Sequence, residues 1–538
     1  MSDALAEKIK KRFLRLKAER NNFQNLWQDA SELVLPRKAD FTVRQSPGAV
    51  RTSKIFDTTA TNAAELLAAA MHGMMTNPSM PWFTLRFAET ALNENAAWRP
   101  FLNQVTEVIR AEINRPEAGF VTNIHELYLD LAVLGTAAFY VGWNDDDRCF
   151  DFRSVFLNEI YIDEDERGFV DTVYRSYRTN ARRLVRQFGE DRLPAEIKAE
   201  DAGEKSDVNY EVIHALFPNR EYDRTLPMAG INRPFRSVYI LADKGIVLDS
   251  GYYDVLPILV VRWTKSSSEV YGRSPAISAL PDIKMLQTMM RDTLEAAAKA
   301  NNPPYFTQDE NSLLPRVVLP GQSVYVETMP VPMKTAGAFP ITDVLMEATR
   351  QRIRVAFFND QLQLTGGARM TATEVIQRTE EKRRLMGPIL GRLEQELLSP
   401  LIMRVFSLLV EKGIIALPSG GRLPAMQVEY VSPLSMAQKQ ETAQTVVNAL
   451  SMAAAVAQTV TASGSVVLKA DAAQRKIMAA YGLEDVIRSE EEVASIEEAQ
   501  AEAVSAQAQT AGAAQALELG QMANEVERGA RENDAGNV

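Results

Sequence analysis

The chain has 538 residues, one cysteine, three histidines and a formal net charge of −11 at pH 7. A single cysteine cannot form an intramolecular disulfide, and one cysteine with three histidines cannot supply a Cys/His zinc site. No apolar stretch reaches the roughly 20 residues of a membrane helix, and basic residues interrupt the N-terminus where a signal peptide would be apolar. We therefore expect a protein made in a reducing cytoplasm, with a large core and no membrane partner.

The negative charge is concentrated at the C-terminal end. Residues 490–538 contain eleven acidic residues against Arg528 and Arg531, a net −9, which leaves −2 for the rest of the chain. Tight, static binding to DNA needs a strongly basic surface, because affinity comes largely from neutralising phosphates. The composition therefore disfavours a protein that grips DNA.

Apolar residues at helical spacing dominate the first part of the chain. They predict long amphipathic helices over 4–35 and from about 57 to 76, a third helix at about 97–115, and a fourth from near Asn123. Between about 138 and 263 the pattern changes to short strands separated by turns. A β-containing region thus follows a set of helices.

Helical periodicity returns at Pro281 and is broken by Asn301-Asn302-Pro303-Pro304. About 35 residues of strand and turn follow, and a helix then runs from Ile341 to near Asn359. The apolar stripe of this helix contains Leu345, Ala348 and Val355. Two helices are therefore predicted to flank a small β insertion.

A glycine-containing segment, 361–369, follows the second of these helices and includes Gly366-Gly367. Thr371 and Glu374 then fit a capping box, which predicts a long helix that runs to Gly413. Bends are expected in it at Gly387-Pro388 and at Pro400.

Polar clusters in the sequence offer little for catalysis or metal binding. The acidic run 163–166 matches no EF-hand loop, so a solvated turn is favoured over a cation site. The histidines His72, His125 and His214 are far apart and are predicted to be structural. Arg350, Arg352 and Arg354 alternate within a helix, which predicts that they spread over different faces.

Several sequence blocks resemble, in order, the head-to-tail connector (portal) protein family of short-tailed double-stranded DNA bacteriophages. The blocks are Leu26-Trp27 through Leu35-Pro36-Arg37, Phe56-Asp57-Thr58-Thr59 through Asn77-Pro78-Ser79, Pro81-Trp82-Phe83, Ser274-Pro275-Ala276, Leu280-Pro281-Asp282-Ile283-Lys284, and Asn302-Pro303-Pro304. The two most specific blocks are Met370-Thr371-Ala372-Thr373-Glu374-Val375, leading into Gly387-Pro388-Ile389-Leu390-Gly391-Arg392-Leu393, and Val431-Ser432-Pro433-Leu434 followed by Gln438.

The resemblance implies an α+β, predominantly α-helical portal fold with wing, stem, clip and crown regions, assembled as a ring of about twelve subunits. Its regions would be the wing at 1–280, the first stem helix at 281–302, the clip at 303–338, the second stem helix at 339–358, the tunnel loop at 359–373, a long wing helix and return at 374–430, and the crown with the acidic tail at 431–538. Without the resemblance, an ordinary glycine-rich connection between helices is the favoured interpretation of 361–369.

The implied function is that of a structural subunit, with no enzymatic activity and no cofactor. The ring would stand at one capsid vertex of the virion, assembled in the host bacterial cytoplasm, and viral double-stranded DNA would pass through it during packaging and ejection. Implied partners are further copies of the chain, non-specifically bound DNA, the terminase, scaffolding and major capsid proteins, and tail adaptor proteins.

Candidate site residues follow from the same resemblance. Those of the tunnel loop are Gln361, Gln363, Thr365, Gly366, Gly367 and Arg369, and those of the stem, facing the lumen or a neighbouring subunit, are Lys284, Arg291, Lys299, Arg350, Arg352 and Arg354.

The alternative function is another component of the packaging machinery, a DNA-translocating ATPase or a nuclease. Such an ATPase needs a G-x-x-x-x-G-K-[ST] loop to hold phosphate. Residues 203–206 resemble it only superficially, which disfavours the alternative.

Overall fold

The computed structural model describes residues 2–43, 46, 48–89, 92–93, 98–201, 208–226, 228–301, 305–306, 331–332, 339–359, 386–417 and 425–430. All of them lie in the first of two compact units, Met1–Ser432. The predicted tunnel-loop residues, the capping box at 371–374, most of the predicted clip and the whole predicted crown lie outside the described residues.

Helices and strands alternate irregularly along the described chain. The helices are α1 (Ser2–Val34), α2 (Thr59–Met75), α3 (Trp98–Ile113), α4 (Phe120–Leu134), α5 (Ala181–Phe188), α6 (Ala195–Asp201), α7 (Pro275–Ser278), α8 (Leu280–Asn301), α9 (Phe339–Ala356), α10 (Gly387–Leu393) and α11 (Ser399–Glu411). The strands are β1 (Phe83–Phe87), β2 (Thr136–Asn144), β3 (Cys149–Val155), β4 (Ile160–Glu164), β5 (Val170–Asn180), β6 (Asn209–Pro218), β7 (Phe235–Leu241), β8 (Ile246–Tyr253), β9 (Ile258–Arg262), β10 (Tyr305–Phe306), β11 (Val331–Pro332) and β12 (Met426–Tyr430). The expectation of a mixed helix and strand fold is confirmed, and none of the described helices is long and apolar enough to cross a membrane.

The main core surrounds α4 and a three-stranded antiparallel sheet of order β3-β2-β9. Helix α4 is almost wholly buried from Leu127 to Leu134 because α2 and the sheet cover it. Met71 and Met75 of α2 are buried in this core. Gly135 joins α4 to β2 with a left-handed φ of +78°, so the chain reverses without the strain a side chain would impose.

A second, five-stranded antiparallel sheet has the order β4-β5-β6-β7-β8. On one face α1 packs through Ile9, Phe13 and Leu16. On the other face α5 packs through Leu184 and Phe188, and α6 packs through Ile197. Strand β6 is therefore buried on both faces along its central residues, and the β-containing region predicted for 138–263 is confirmed.

Helices α8 and α9 flank the short antiparallel pair of β10 with β11, as the sequence predicted for this part of the chain. An ion pair of 3.1 Å between Arg352 at the end of α9 and Asp282 at the start of α8 shows that the two helices run antiparallel. They also pack against each other.

The buried face of α9 differs from the stripe that the sequence indicated. Met346, Thr349, Ile353 and Phe357 are buried, whereas Leu345, Ala348 and Val355 are exposed. The predicted stripe exists, but it faces away from the core of its own subunit. Helix α9 therefore has two apolar faces.

The chain from Met386 to Glu411 is helical but not uniformly α-helical. A π-helical segment, Glu394–Leu398, separates α10 from α11 and lies directly before Pro400, where a bend was predicted. Proline lacks the N–H that continues the regular ladder, so an irregular turn here has a local cause. After α11 the chain returns as β12, which pairs antiparallel with β1.

Candidate functional site

The six basic candidates that the structure describes lie on α8 and α9. On α8, Lys284 pairs with Asp29 of α1 at 2.6 Å, and Arg291 contacts Asp292 at 3.1 Å. Lys299 is exposed and has no ion-pair partner among the described residues. The outward face of α8 is thus charged and exposed.

The three arginines of α9 are each paired within their own subunit. Arg350 and Arg354 both contact Glu347, at 3.2 and 2.9 Å, while Arg352 reaches Asp282 at 3.1 Å. The arginines spread over more than one face, as expected, although Arg350 and Arg354 share a face because they are four residues apart. Only Arg352 points elsewhere.

Arg350 also joins α9 to the start of α2. Its Nε donates to Oδ2 of Asp57 at 2.9 Å, and the Asp57 side chain is only 7% exposed. Burial alone would raise the pKa of Asp57, but hydrogen bonds from Thr59 and Arg350 outweigh it and hold the pKa below its ordinary value. This carboxylate is therefore charged in the folded protein.

Gln287 of α8 completes the same junction. Its Oε1 accepts from the backbone N–H groups of Phe56 and Asp57 at 2.7 and 2.9 Å, and its Nε2 donates to the Asp57 carbonyl at 2.7 Å. One glutamine thus satisfies three backbone groups that would otherwise be buried unpaired. The N-terminus of α2 is tied to both α8 and α9.

The C-terminal end of α9 is also fixed to α2. Phe357 is fully buried, Phe358 has a left-handed φ of 60°, and Asn359 is buried. With its amide nitrogen turned toward them, Asn359 donates to the carbonyls of Ala63 and Phe357 at 3.2 and 3.3 Å. The chain therefore enters the predicted tunnel-loop segment from a held position.

A buried arginine network that the sequence did not reveal holds the helix on the far side of that segment. The Arg262 side chain is 0% exposed, and its Nη2 lies 2.5 Å from Oε1 of Glu396 in the π-helical segment. Its backbone N–H and Nε donate to Oε2 of Glu396 at 3.0 and 3.2 Å. Nη1 contacts Glu164, and Nη2 donates to the Gly168 carbonyl at 2.9 Å. The sequence signal that could have revealed this network is an arginine at the end of the apolar run of β9.

The acidic run 163–166 is not simply solvated, as the sequence suggested. Asp163 accepts from Arg12 and Arg15 of α1, both at 3.1 Å. Glu164 contacts Lys265 at 2.5 Å as well as Arg262. These carboxylates join β4 to α1 and β9. In the part of the chain that the structure describes, no group of acidic, histidine or cysteine side chains has the arrangement of a metal site.

Two of the histidines are closer together than their sequence positions suggested. The rings of His72 and His125 lie 6.1 Å apart, because α2 packs on α4, and burial followed by the charge of His125 lowers the pKa of His72. His214 stacks on Tyr239 with ring centroids 3.8 Å apart, and burial lowers the pKa of His214 to about 3. Each is a packed side chain, as expected.

Comparison with known proteins gives a consistent result over most of the chain. Residues 6–487 match the family model described as bacteriophage head to tail connecting protein. The probable portal protein of Bordetella phage BPP-1 is 31% identical over 456 residues, which are 81% of each chain. The portal protein of Salmonella phage epsilon15 is 30% identical over 456 residues, covering 82% of this chain and 81% of the relative. The chain belongs to the bacteriophage head-to-tail connecting protein family and has the role of a portal, or head-to-tail connector.

Proposed function

We propose that this chain is the subunit of a ring of about twelve copies at one capsid vertex, through which viral double-stranded DNA is packaged and later ejected. The ring forms in the host cytoplasm with scaffolding and major capsid proteins, docks the terminase, and then receives the tail adaptor proteins. The observation that carries the proposal is the family match across residues 6–487.

The local architecture supports the same reading. Helices α8 and α9 with the β10–β11 pair between them have the order expected of stem, clip and stem. Both legs of this hairpin are tied at their base to α2, the first through Gln287 and the second through Arg350 and Asn359. A hairpin held at its base in this way can line a channel without support from its tip.

The charge distribution fits DNA that slides rather than DNA that is held. The α9 arginines are neutralised by Glu347, Asp57 and Asp282, so they offer phosphates little net charge. Arg291 and Lys299 are exposed on the outward face of α8 and remain accessible to DNA phosphates. Contacts of this kind are non-specific and weakened by salt, which lets DNA move in both directions.

The predicted tunnel loop supplies the narrowest part of the channel in this proposal. Gly366 and Gly367 give 361–369 conformational freedom, and Arg369 is the one charged side chain of that segment. Its contact with phosphate is weak and reversible.

We also infer that the chain hydrolyses no ATP, and that packaging energy comes from the terminase. The sequence lacks a phosphate-binding loop of the G-x-x-x-x-G-K-[ST] type.

Size-exclusion chromatography with light scattering, followed by negative-stain imaging of the purified protein, tests the proposal. We expect a closed ring with an axial hole and no DNA-stimulated ATPase activity. A protein that stays monomeric at micromolar concentration contradicts the ring, and ATP hydrolysis by contaminant-free rings contradicts the structural role.

A further inference from the structure

Helix α9 exposes an apolar face that the described residues of its own subunit do not cover. Val344, Leu345 and Val355 are 70%, 54% and 48% exposed, and Ala348 lies between them on the exposed surface. These positions extend over about 16 Å of helix. They lie opposite the buried face formed by Met346, Thr349 and Ile353.

The charges beside this face are already compensated. Arg352, which lies within it, pairs with Asp282 of the same subunit at 3.1 Å, and Glu347 pairs with Arg350 and Arg354 along the flank. A face whose only cation has a carboxylate partner can be removed from water at lower cost than one with a free charge. It is equally a poor surface for DNA phosphates.

The outward face of α8 has the opposite character. Lys284, Thr288, Arg291, Glu295 and Lys299 are exposed there, and Met285 and Leu294 are the exposed large apolar side chains at its two edges. The hairpin therefore has a charged, solvent-exposed side on α8 and an apolar side on α9. In a ring of parallel hairpins around an axis, each hairpin has lateral sides that meet neighbouring copies and a side that meets the channel.

We propose that the apolar face of α9, formed by Val344, Leu345, Ala348 and Val355, packs against a second copy of this chain, while the outward face of α8 stays in contact with water. The inference rests on the proposed function, because the ring is what brings identical hairpins side by side. It adds which face of the hairpin forms the subunit contact and which does not.

Cysteine accessibility in purified oligomers, which contain only copies of this chain, tests the assignment. Val344→Cys and Val355→Cys probe the α9 face, Thr288→Cys is the matched control on α8, and the wild-type protein gives the background because Cys149 is buried. A thiol must be accessible to react with a maleimide, so we expect labelling at positions 344 and 355 to be roughly tenfold slower in the oligomer than in urea-dissociated subunits. Labelling of Thr288→Cys is expected to stay within about twofold of its rate in dissociated subunits.

A variant that introduces charge provides the second measurement. Leu345→Glu combined with Val355→Glu places carboxylates on the proposed contact, and we expect a monomer of unchanged circular dichroism. Thr288→Glu is expected to assemble as the wild type does.

The outcomes separate this inference from the proposed function. The α9 contact is wrong if cysteines at 344 and 355 react in the ring as fast as the cysteine at 288. It is also wrong if the double glutamate variant still assembles into rings. Either result leaves the proposal of a ring intact. A wild-type protein that never oligomerises overturns the ring and the inference with it.

Discussion

Replacing Arg262 with methionine removes the cation that joins β9, the 163–166 turn and the π-helical segment. The change leaves the Glu396 carboxylate, 8% exposed, without its guanidinium partner, while Glu164 keeps Lys265. Removing one partner of a buried pair typically costs about 3–5 kcal/mol, because the remaining charge is buried and uncompensated. We expect the free energy of unfolding to fall by about that amount.

The double variant Arg262→Met with Glu396→Gln separates the lost charge pair from lost packing. Glutamine keeps an oxygen that accepts the backbone N–H of residue 262, which donates to Glu396 at 3.0 Å, but carries no charge. We therefore expect the double variant to recover at least about 1.5 kcal/mol relative to Arg262→Met. Urea unfolding followed by tryptophan fluorescence, at a protein concentration that keeps the assembly state constant, measures both. A double variant no more stable than the single one refutes the explanation by uncompensated charge.

Three further predictions concern other parts of the chain. Burial raises the pKa of Asp130 to about 6, so this group contributes stability that is present below pH 4 and is lost as the pH rises through about 6. We expect Asp130→Asn to reduce the change in the free energy of unfolding across that pH window by about 2–3 kcal/mol. A pH dependence of unfolding equal to that of the wild type contradicts this prediction. Gly135 has a left-handed φ, and Gly135→Ala would place a Cβ 2.6 Å from the backbone oxygen of Gly272. We expect the free energy of unfolding, measured by thermal unfolding, to fall by roughly 2 kcal/mol or more. An unaltered melting temperature contradicts this prediction. Replacing Gly366-Gly367 with Ala-Pro should leave rings normal but impair DNA packaging or retention, because proline fixes φ; packaged DNA of wild-type length and leakage would count against a tunnel loop.

The local elements of this protein could be predicted from sequence because their signals are short-range. The helices over 4–35 and 57–76 and those on either side of 302–340 are marked by apolar spacing and by proline at their ends, and the structure places them within a few residues. The family blocks add their order along the chain. Neither signal says which of two apolar faces on one helix turns toward the subunit core. Leu345, which belongs to the predicted apolar stripe, is therefore exposed instead of buried.

The polar contacts between distant segments were decided by tertiary packing alone. Arg262 meets Glu396, and Arg350 meets Asp57, across 134 and 293 residues of chain. A charged residue in a sequence does not reveal whether it will be buried, because that depends on which carboxylate the fold brings within reach. The amino-acid order thus determined the helices, the strands and the family of this protein. The fold decided which charges are neutralised inside the subunit, and therefore which faces of α8 and α9 are left for water or for a second copy.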